Sequence, residues 1–337
     1  MSIRFAAIGM SHPHIYNQAD ALISAGAELA WCWDDDPARM AEFRAKYPNV
    51  RLARAVDEIL DDSTIALIVS AVPPDARAAL GVRVLRAGKD YSCAKPGFTT
   101  LDQIADVRRV QAETGQIYAI HFSERFDSRA TVRASELVRA GMIGRVVNLI
   151  GTGPHRFLGS IPRPDWASDA RRFGGILNDL ASHQIDQFIH FTDSENVEIV
   201  SAHVGNVAHP QFSHFEDVGD LHVRGEGGAT GYMRVDWLTP RGLPTWGDVR
   251  LYVMGTTGSI EVRKNIDIGG KSGGDHLYIV DSDGVRQIDC ADVPLPYGAQ
   301  LMADILGRTQ TAMRQDRWFQ VSELALLAQG RAVRIKY

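Results

Sequence analysis

Four ionisable side chains recur at helical spacing just past the middle of the chain: Asp179, His183, Asp186 and His190. At about 100° per residue they form one narrow polar stripe on a segment otherwise apolar through Leu177, Leu180, Ile185, Phe188 and Ile189. Ionisable groups are rarely buried alone, so the pattern predicts a helix buried on most sides whose stripe faces a cleft. A carboxylate one turn from an imidazole orients it and favours its protonated form. A structural Asp–His contact in a core has the same spacing, and the stripe alone leaves the two readings open. Gly174-Gly175, just before it, allows unusual dihedrals or close approach. Asp179 and His183, with Asp186 or His190 as a further ligand, have the types for a metal site, and so do His12 and His14; two histidines around Pro13 make a poor chelate, and no metal is expected at either place.

The elements that must position these residues alternate in type over the first ~120 residues. Ile3 to Ile8, Leu29 to Trp33, Ile65 to Val72, Asp90 to Cys93 and Ile117 to Phe122 read as strands. His14 to Ala25, Pro37 to Tyr47, Asp75 to Ala87 and Leu101 to Glu113 read as helices, several closed by Gly26, Gly88 or Gly115. Such a βαβ series implies a mostly parallel sheet with helices on both faces and ligands at the carboxyl ends of its strands. At that edge the first strand ends in Gly9-Met10-Ser11-His12-Pro13-His14, which keeps only the first glycine of G-x-G-x-x-G. Strand, tight turn and helix start still offer backbone N–H groups to a pyrophosphate, and Ser11 and His12 add side-chain donors. Asp34 ends the second strand where an acid binds an adenosine ribose; Asp35 and Asp36 compete for that role, and Asp36 before Pro37 suits a helix cap. Ser70-Ala71-Val72-Pro73-Pro74 forms a stiff exit on which a flat cofactor can rest, and Cys93-Ala94-Lys95-Pro96 brings a lysine to the same edge.

Several function classes are excluded by composition. The 337 residues suit two domains, 45% hydrophobic and 23% charged content suits a globular protein, and a formal net charge of −5 without a long basic run argues against nucleic acid or anionic membrane. Three scattered cysteines, Cys32, Cys93 and Cys290, read as reduced thiols. The opening apolar run is too short for a signal peptide, and no stretch approaches ~18 apolar residues, so a cytoplasmic location is expected.

Together the βαβ series, the Pro73-Pro74 exit, Ala94-Lys95-Pro96 and Gly174-Gly175…Asp179…His183…Asp186 resemble the Gfo/Idh/MocA family of nicotinamide-dependent oxidoreductases. The likeness extends through Ser123-Glu124-Arg125-Phe126 and Leu137-Val138-Arg139-Ala140-Gly141-Met142-Ile143-Gly144. What the resemblance implies is an α/β fold: a Rossmann-type doubly wound parallel sheet over residues 1–122, then an α+β substrate and oligomerisation domain over 123–337 with a large open, predominantly antiparallel sheet. It matches Lys95, Asp179 and His183 to the family's usual Lys, Asp and His. The chain departs from the family in the reduced glycine fingerprint, in Ala94 where an acid is usual, and in Arg77 where a histidine is often found.

In the second half Val146 to Ile150, Val197 to Val204, Val218 to Val223, Ala229 to Trp237, Val249 to Met254, Ser259 to Val262 and His276 to Val280 read as strands, with helices at Tyr297 to Met313 and Val321 to Ala332. A large sheet with few helices to cover it predicts an oligomer, a homodimer or homotetramer. The cofactor expected is NAD in preference to NADP, held by Gly9, Met10, Ser11, His12, Asp34, Ala71, Pro73 and Lys95. The loop residues suit a polyhydroxylated or anionic ligand, and the resemblance implies a sugar, cyclitol or related polyol, met by Arg125, His155, Arg156, Trp166, Asp179 and His183. Arg163, Arg171, Arg172, His121, Trp237 and His276 are further candidates. His183 is expected to take a hydroxyl proton, Asp179 to orient it, and Lys95 to stabilise the developing alkoxide. Two alternatives share this fold: a redox-neutral sugar lyase, hydrolase or epimerase with tightly held NAD, and a non-catalytic ligand sensor.

Overall fold

The computed structural model describes residues 2–157 and 164–336; Arg163 lies outside the described residues. Contacts divide the chain into two units, Met1–His121 with Pro296–Glu323 and Phe122–Leu295 with Leu324–Tyr337. The segment Pro296–Glu323, left in the second half by the sequence reading, thus belongs with the first unit.

In the first unit β1 (Arg4–Ile8), α1 (His14–Ser24), β2 (Glu28–Trp33), α2 (Pro37–Lys46), β3 (Arg51–Leu52), α3 (Val56–Leu60), β4 (Ile65–Ser70), α4 (Pro74–Arg86), β5 (Asp90–Ala94), α5 (Leu101–Thr114) and β6 (Tyr118–His121) follow one another. The strands lie in the order β3-β2-β1-β4-β5-β6, all parallel, so the direction of winding reverses between β1 and β4. In such sheets ligands bind outside the carboxyl ends at that reversal, where Gly9 and Ala71 stand. The helix starts are encoded locally. Asp36 accepts from Ala38 N at 2.8 Å with Pro37 following, and Thr100 accepts from Gln103 N at 3.2 Å. The two-residue β3 and the short α3 were absent from the sequence reading because neither is long enough to show a period.

The second unit opens with α6 (Ser123–Phe126), α7 (Arg129–Arg139), β7 (Val146–Pro154), a 3-10 turn (Asp165–Ser168), α8 (Ala170–Phe173), a π turn (Leu177–Ala181) and α9 (Ser182–Thr192). Then come β8 (Val197–Gly205), β9 (Val218–Gly225), β10 (Thr230–Asp236), β11 (Arg250–Gly255), β12 (Ser259–Arg263), β13 (His276–Asp281) and β14 (Gly284–Ile288). After α10 (Tyr297–Gly307) and α11 (Gln315–Arg331), β15 (Val333–Arg334) closes the chain. The nine-stranded sheet runs β14-β13-β12-β11-β7-β10-β9-β8-β15 and is antiparallel except at β7–β10 and β8–β15. β14, Gly-Val-Arg-Gln-Ile, carries too little apolar alternation to be read in advance. The expected helix Tyr297 to Met313 stops at Gly307 because Arg308 turns to φ 51°, and Asp304 accepts from Thr311 N at 2.7 Å and Ala312 N at 2.8 Å to fix the turn.

Among the described residues no helix is long and apolar enough to cross a membrane. All three cysteines are free and buried, and burial pushes the thiols of Cys93 and Cys290 up to about 11.

The polar stripe of α9 divides. Asp186 receives Arg125 Nε at 2.6 Å and Nη2 at 2.8 Å, and His190 Nε2 lies 2.9 Å from Ser135 Oγ on α7. These two positions therefore face the interior of the unit and not a cleft. Burial, aided by Arg125 and Arg139, holds the His190 imidazole well below its usual value. The unfolded chain then takes up this proton first, so stability is full above about pH 6.5 and falls as pH drops below it. Denaturant unfolding between pH 7.5 and 5.5 is expected to show this loss, and His190→Gln should flatten the slope by one proton, about 1.4 kcal/mol per pH unit. An unchanged slope would place the acid sensitivity in another group.

Candidate active site

Gly9 makes the cofactor edge possible. Its φ is +79°, and a Cβ there would stand 2.0 Å from Val72 Cγ1, so no other residue fits without moving the β4 exit. The turn is stitched on both sides: Gly9 N donates to Trp33 O at 2.8 Å, Ala71 N to Gly9 O at 3.0 Å, and Ser11 Oγ to Ala71 O at 2.7 Å. The Ser11 hydroxyl thus donates within the protein. His12 Nδ1 accepts from His14 N at 3.2 Å, which leaves the proton of a neutral ring on Nε2. What remains for a pyrophosphate is the backbone of a tight turn entering α1, whose first turn carries no acidic side chain. A cradle that a Cβ would fill is the fit expected of a dinucleotide turn.

Asp34 stands where the ribose-binding acid was expected, but it also organises the turn. Its carboxylate accepts from Met10 N and, at 2.9 Å, from Asp36 N, and burial raises its pKa. Arg39 reaches Asp34 at 3.2 Å, Asp35 at 3.8 Å and Asp36 at 3.1 Å, so this guanidinium is already surrounded by carboxylates. Pro73 precedes α4 in an extended conformation, and Lys95 follows β5 directly, buried, with a cis bond to Pro96.

In the second unit Asp179 lies in the π turn and His183 one residue into α9. Both are buried, at 8% and 2% exposure, and the His183 ring meets Phe122 edge-on at 6.1 Å. The π turn has more residues per turn than the α-helix that follows, so position 179 stands about one full turn before His183.

The segment's start is held from outside. Glu216 Oε2 accepts from Ile176 N at 3.0 Å, and Gln329 Oε1 accepts from Leu177 N at 3.0 Å. Gln329 Nε2 donates to Glu216 Oε2 at 2.9 Å, and Arg334 donates to Glu216 Oε1 at 2.6 Å. Gly175, at φ +88°, is required because a Cβ would strike the Gln329 amide at 2.1 Å.

Several of the expected substrate residues are engaged or buried within the fold. Arg125 pairs with Asp186 and stacks on Phe126 at 4.2 Å. Arg156 Nη2 donates to the carbonyls of Pro240, Leu243 and Thr245 and so ties down residues 240–245. Trp166 is buried, and His276 lies 3.1 Å from Gly273 O. His121 is fully buried against Tyr297 at 5.1 Å. These placements give Arg125 and Arg156 structural bonds within the unit. His155 is different: half-buried, with Nδ1 3.0 Å from Gly153 O, its ring lies 4.5 Å from Trp246, which is 45% exposed.

The sequence reading missed Glu216, Gln329 and Arg334, whose distance from residue 176 in the chain hides their role. It also missed Lys264, fully buried with Nζ 2.7 Å from Gln187 Oε1 and 3.4 Å from Glu124 Oε2; burial lowers its pKa. Glu216→Ala is expected to leave buried donors unsatisfied and to cost about 1–3 kcal/mol in denaturant unfolding, with Glu216→Gln recovering most of it through its amide oxygen. A loss for the alanine variant below about 0.5 kcal/mol would show that the helix start does not depend on this carboxylate.

Comparison with known proteins follows the same division. Residues 3–122 match an oxidoreductase family with an NAD-binding Rossmann fold, and residues 131–261 match the GFO/IDH/MocA C-terminal domain. A crystal structure from Erwinia carotovora atroseptica, assigned as an oxidoreductase, is 43% identical with a TM-score of 0.96 over 99% of this chain and 100% of that one. An uncharacterized oxidoreductase of Schizosaccharomyces pombe is 27% identical over 43% of this chain, a match spanning 39% of that protein's length. The scyllo-inositol 2-dehydrogenase (NAD(+)) of Bacillus subtilis is 25% identical over 77% of this chain and 73% of its own length. With a parallel NAD-binding sheet, a mostly antiparallel second sheet and both domains matched in order, the chain belongs to the Gfo/Idh/MocA family of oxidoreductases.

Proposed function

We propose that the protein is an NAD-dependent dehydrogenase that oxidises a secondary hydroxyl of a sugar, cyclitol or related polyol. The observation that carries this reading is the placement of Asp179 and His183 at the junction of a π turn with a buried helix. Rigid placement of an acid–imidazole pair is what proton transfer requires. The likeness to an inositol dehydrogenase over 77% of the chain supports the substrate class.

Gly9, Met10, Ser11 and His12 would form the turn that meets the dinucleotide, with the Gly9 and Met10 N–H groups shaping that turn through Trp33 O and Asp34, Asp34 toward the ribose, and Ala71 and Pro73 beneath the ring. NAD supplies the hydride acceptor when bound. His183 takes the hydroxyl proton on a ring nitrogen, Asp179 orients that ring, and Lys95 donates a hydrogen bond to the reacting oxygen as negative charge develops on it. His155 and Trp246 offer a polar edge and an apolar face of the kind that polyols use. Tyr232, Met254 and Val280, each between 41% and 42% exposed, occupy outward positions of β10, β11 and β13 and support a homodimer or homotetramer formed through that sheet face.

NAD is expected to bind at least ~10-fold tighter than NADP in calorimetry, because Asp34 repels a 2′-phosphate and Arg39 is already neutralised by Asp34, Asp35 and Asp36. Equal affinities would mean that Arg39 leaves its carboxylates for the phosphate.

A panel of cyclitols and sugars, read as NADH absorbance, should identify a substrate. On it Lys95→Ala and His183→Ala should each lose at least ~100-fold in kcat while folding and binding NAD. Asp179→Asn should lose less. The parental rate should rise with pH through one ionisation, since the imidazole must be neutral to accept a proton, and that limb should vanish in His183→Ala. Near-parental turnover without His183 sinks the assignment of the base; product without net NADH selects the redox-neutral reading.

A further inference from the structure

Arg77 is 1% exposed on α4, yet it is a cation, and the roles given above to the cofactor turn and to Lys95 make no use of it. Its Nε donates to Val72 O at 2.9 Å. Its Nη1 donates to Ala94 O at 3.0 Å and to Pro96 O at 2.8 Å. The carbonyls on either side of Lys95 therefore converge on one nitrogen, and the same guanidinium grips the last residue before Pro73-Pro74. On the far side of Val72, Ala71 N meets Gly9 O at 3.0 Å, Ser11 Oγ meets Ala71 O at 2.7 Å, and the missing Cβ of Gly9 leaves the space that Val72 fills. Tyr118 completes the hold on the Lys95 loop by donating to Gly97 O at 3.0 Å.

We propose that Arg77 is a positioning residue that joins the cofactor turn to Lys95, so that one buried side chain sets the register between the two. The inference rests on the dehydrogenase reading for the role of Lys95. A guanidinium suits the task because its planar fork donates in divergent, fixed directions, whereas an ammonium is a point charge on a flexible stem. Burying a cation is costly, and its Nε and Nη1 donate to main-chain oxygens at the sheet edge where ligands bind. Lysine in its place keeps the charge and loses the fork. The Lys95 loop is then held less closely, and misplacement by ~1 Å at a reacting centre costs on the order of 100-fold.

The test uses the full chain and the best polyol from the substrate panel. Arg77→Lys should fold, lose at least ~10-fold in kcat with KM for the polyol within ~3-fold, and weaken NAD about 3- to 10-fold in calorimetry. In a Lys95→Ala background the same substitution should cost less than ~2-fold in kcat, because a residue acting through Lys95 has nothing left to position. Full multiplication of the two losses overturns the proposal, and so do parental kcat and NAD affinity in Arg77→Lys. If the lysine variant does not fold, the cycle is run with Arg77→Gln; failure of both to fold in the presence of NAD also overturns it, since positioning predicts a folded, slow enzyme. Lys95→Ala with parental turnover instead removes the reading of Lys95, and the NAD affinity of Arg77→Lys then decides alone whether Arg77 reaches the cofactor turn.

Discussion

A helix that begins inside a protein cannot leave its first N–H groups to water, and the segment carrying Asp179 and His183 begins in that way. The remaining architecture of the second unit answers this constraint. Glu216 and Gln329 accept from Ile176 N and Leu177 N, Arg334 balances the Glu216 charge, and Gly175 omits the side chain that would displace the Gln329 amide. A negative group at a helix start is also favourable to the helix dipole. The C-terminal residues are thereby tied to the candidate site: β15 pairs Val333 with His203 and Arg334 with Val204, and this pairing holds the residue that neutralises Glu216.

Beneath the same helix lies a second solution to burial. Glu124, Asp186, Arg125 and Lys264 are two acids and two bases, each nearly inaccessible, linked by Gln184 and Gln187. Such a cluster is poor evidence for stability, because desolvation offsets much of the attraction, but removing any single member leaves an unpaired buried charge. Gln187 also donates to His183 O at 3.0 Å, so the cluster bears directly on the turn that holds the imidazole. The start and the underside of the helix are fixed by different means, one by capping and the other by charge balance.

Local patterns were legible in the sequence and distant partners were not. The parallel strands of the first unit showed as apolar runs punctuated by glycine, and Gly9 and Asp34 could be placed because a dinucleotide turn and its acid follow a strand at short range. The end of α10 was misread because apolar periodicity continues past Gly307, while the stop is made by Asp304 capturing the main chain of residues 311 and 312. Arg125 and Arg156 looked like ligand-facing loop cations. Nothing near them in sequence announces that Asp186 and the carbonyls of 240–245 accept from them, because those partners are 61 and 84–89 residues away. Arg77 was visible only as a departure from a family habit, and its meaning depends on two strand exits that meet only in the folded sheet.

The π turn accounts for the most informative of these errors. A uniform helix places Asp179, His183, Asp186 and His190 on one line, and all four would then share one environment. The widened first turn sets Asp179 about one full turn before His183, while Arg125 and Ser135 claim the two positions further along. One polar stripe becomes two sets: a pair spent on internal bonding that anchors the helix, and a pair placed by that anchoring. Rare backbone geometry persists only where its surroundings over-determine it. Here the capping of Ile176 and Leu177, the cluster beneath Gln184 and Gln187, and the Asp186–Arg125 pair all act on the same few turns, which is the degree of constraint that positioning an imidazole for proton transfer demands.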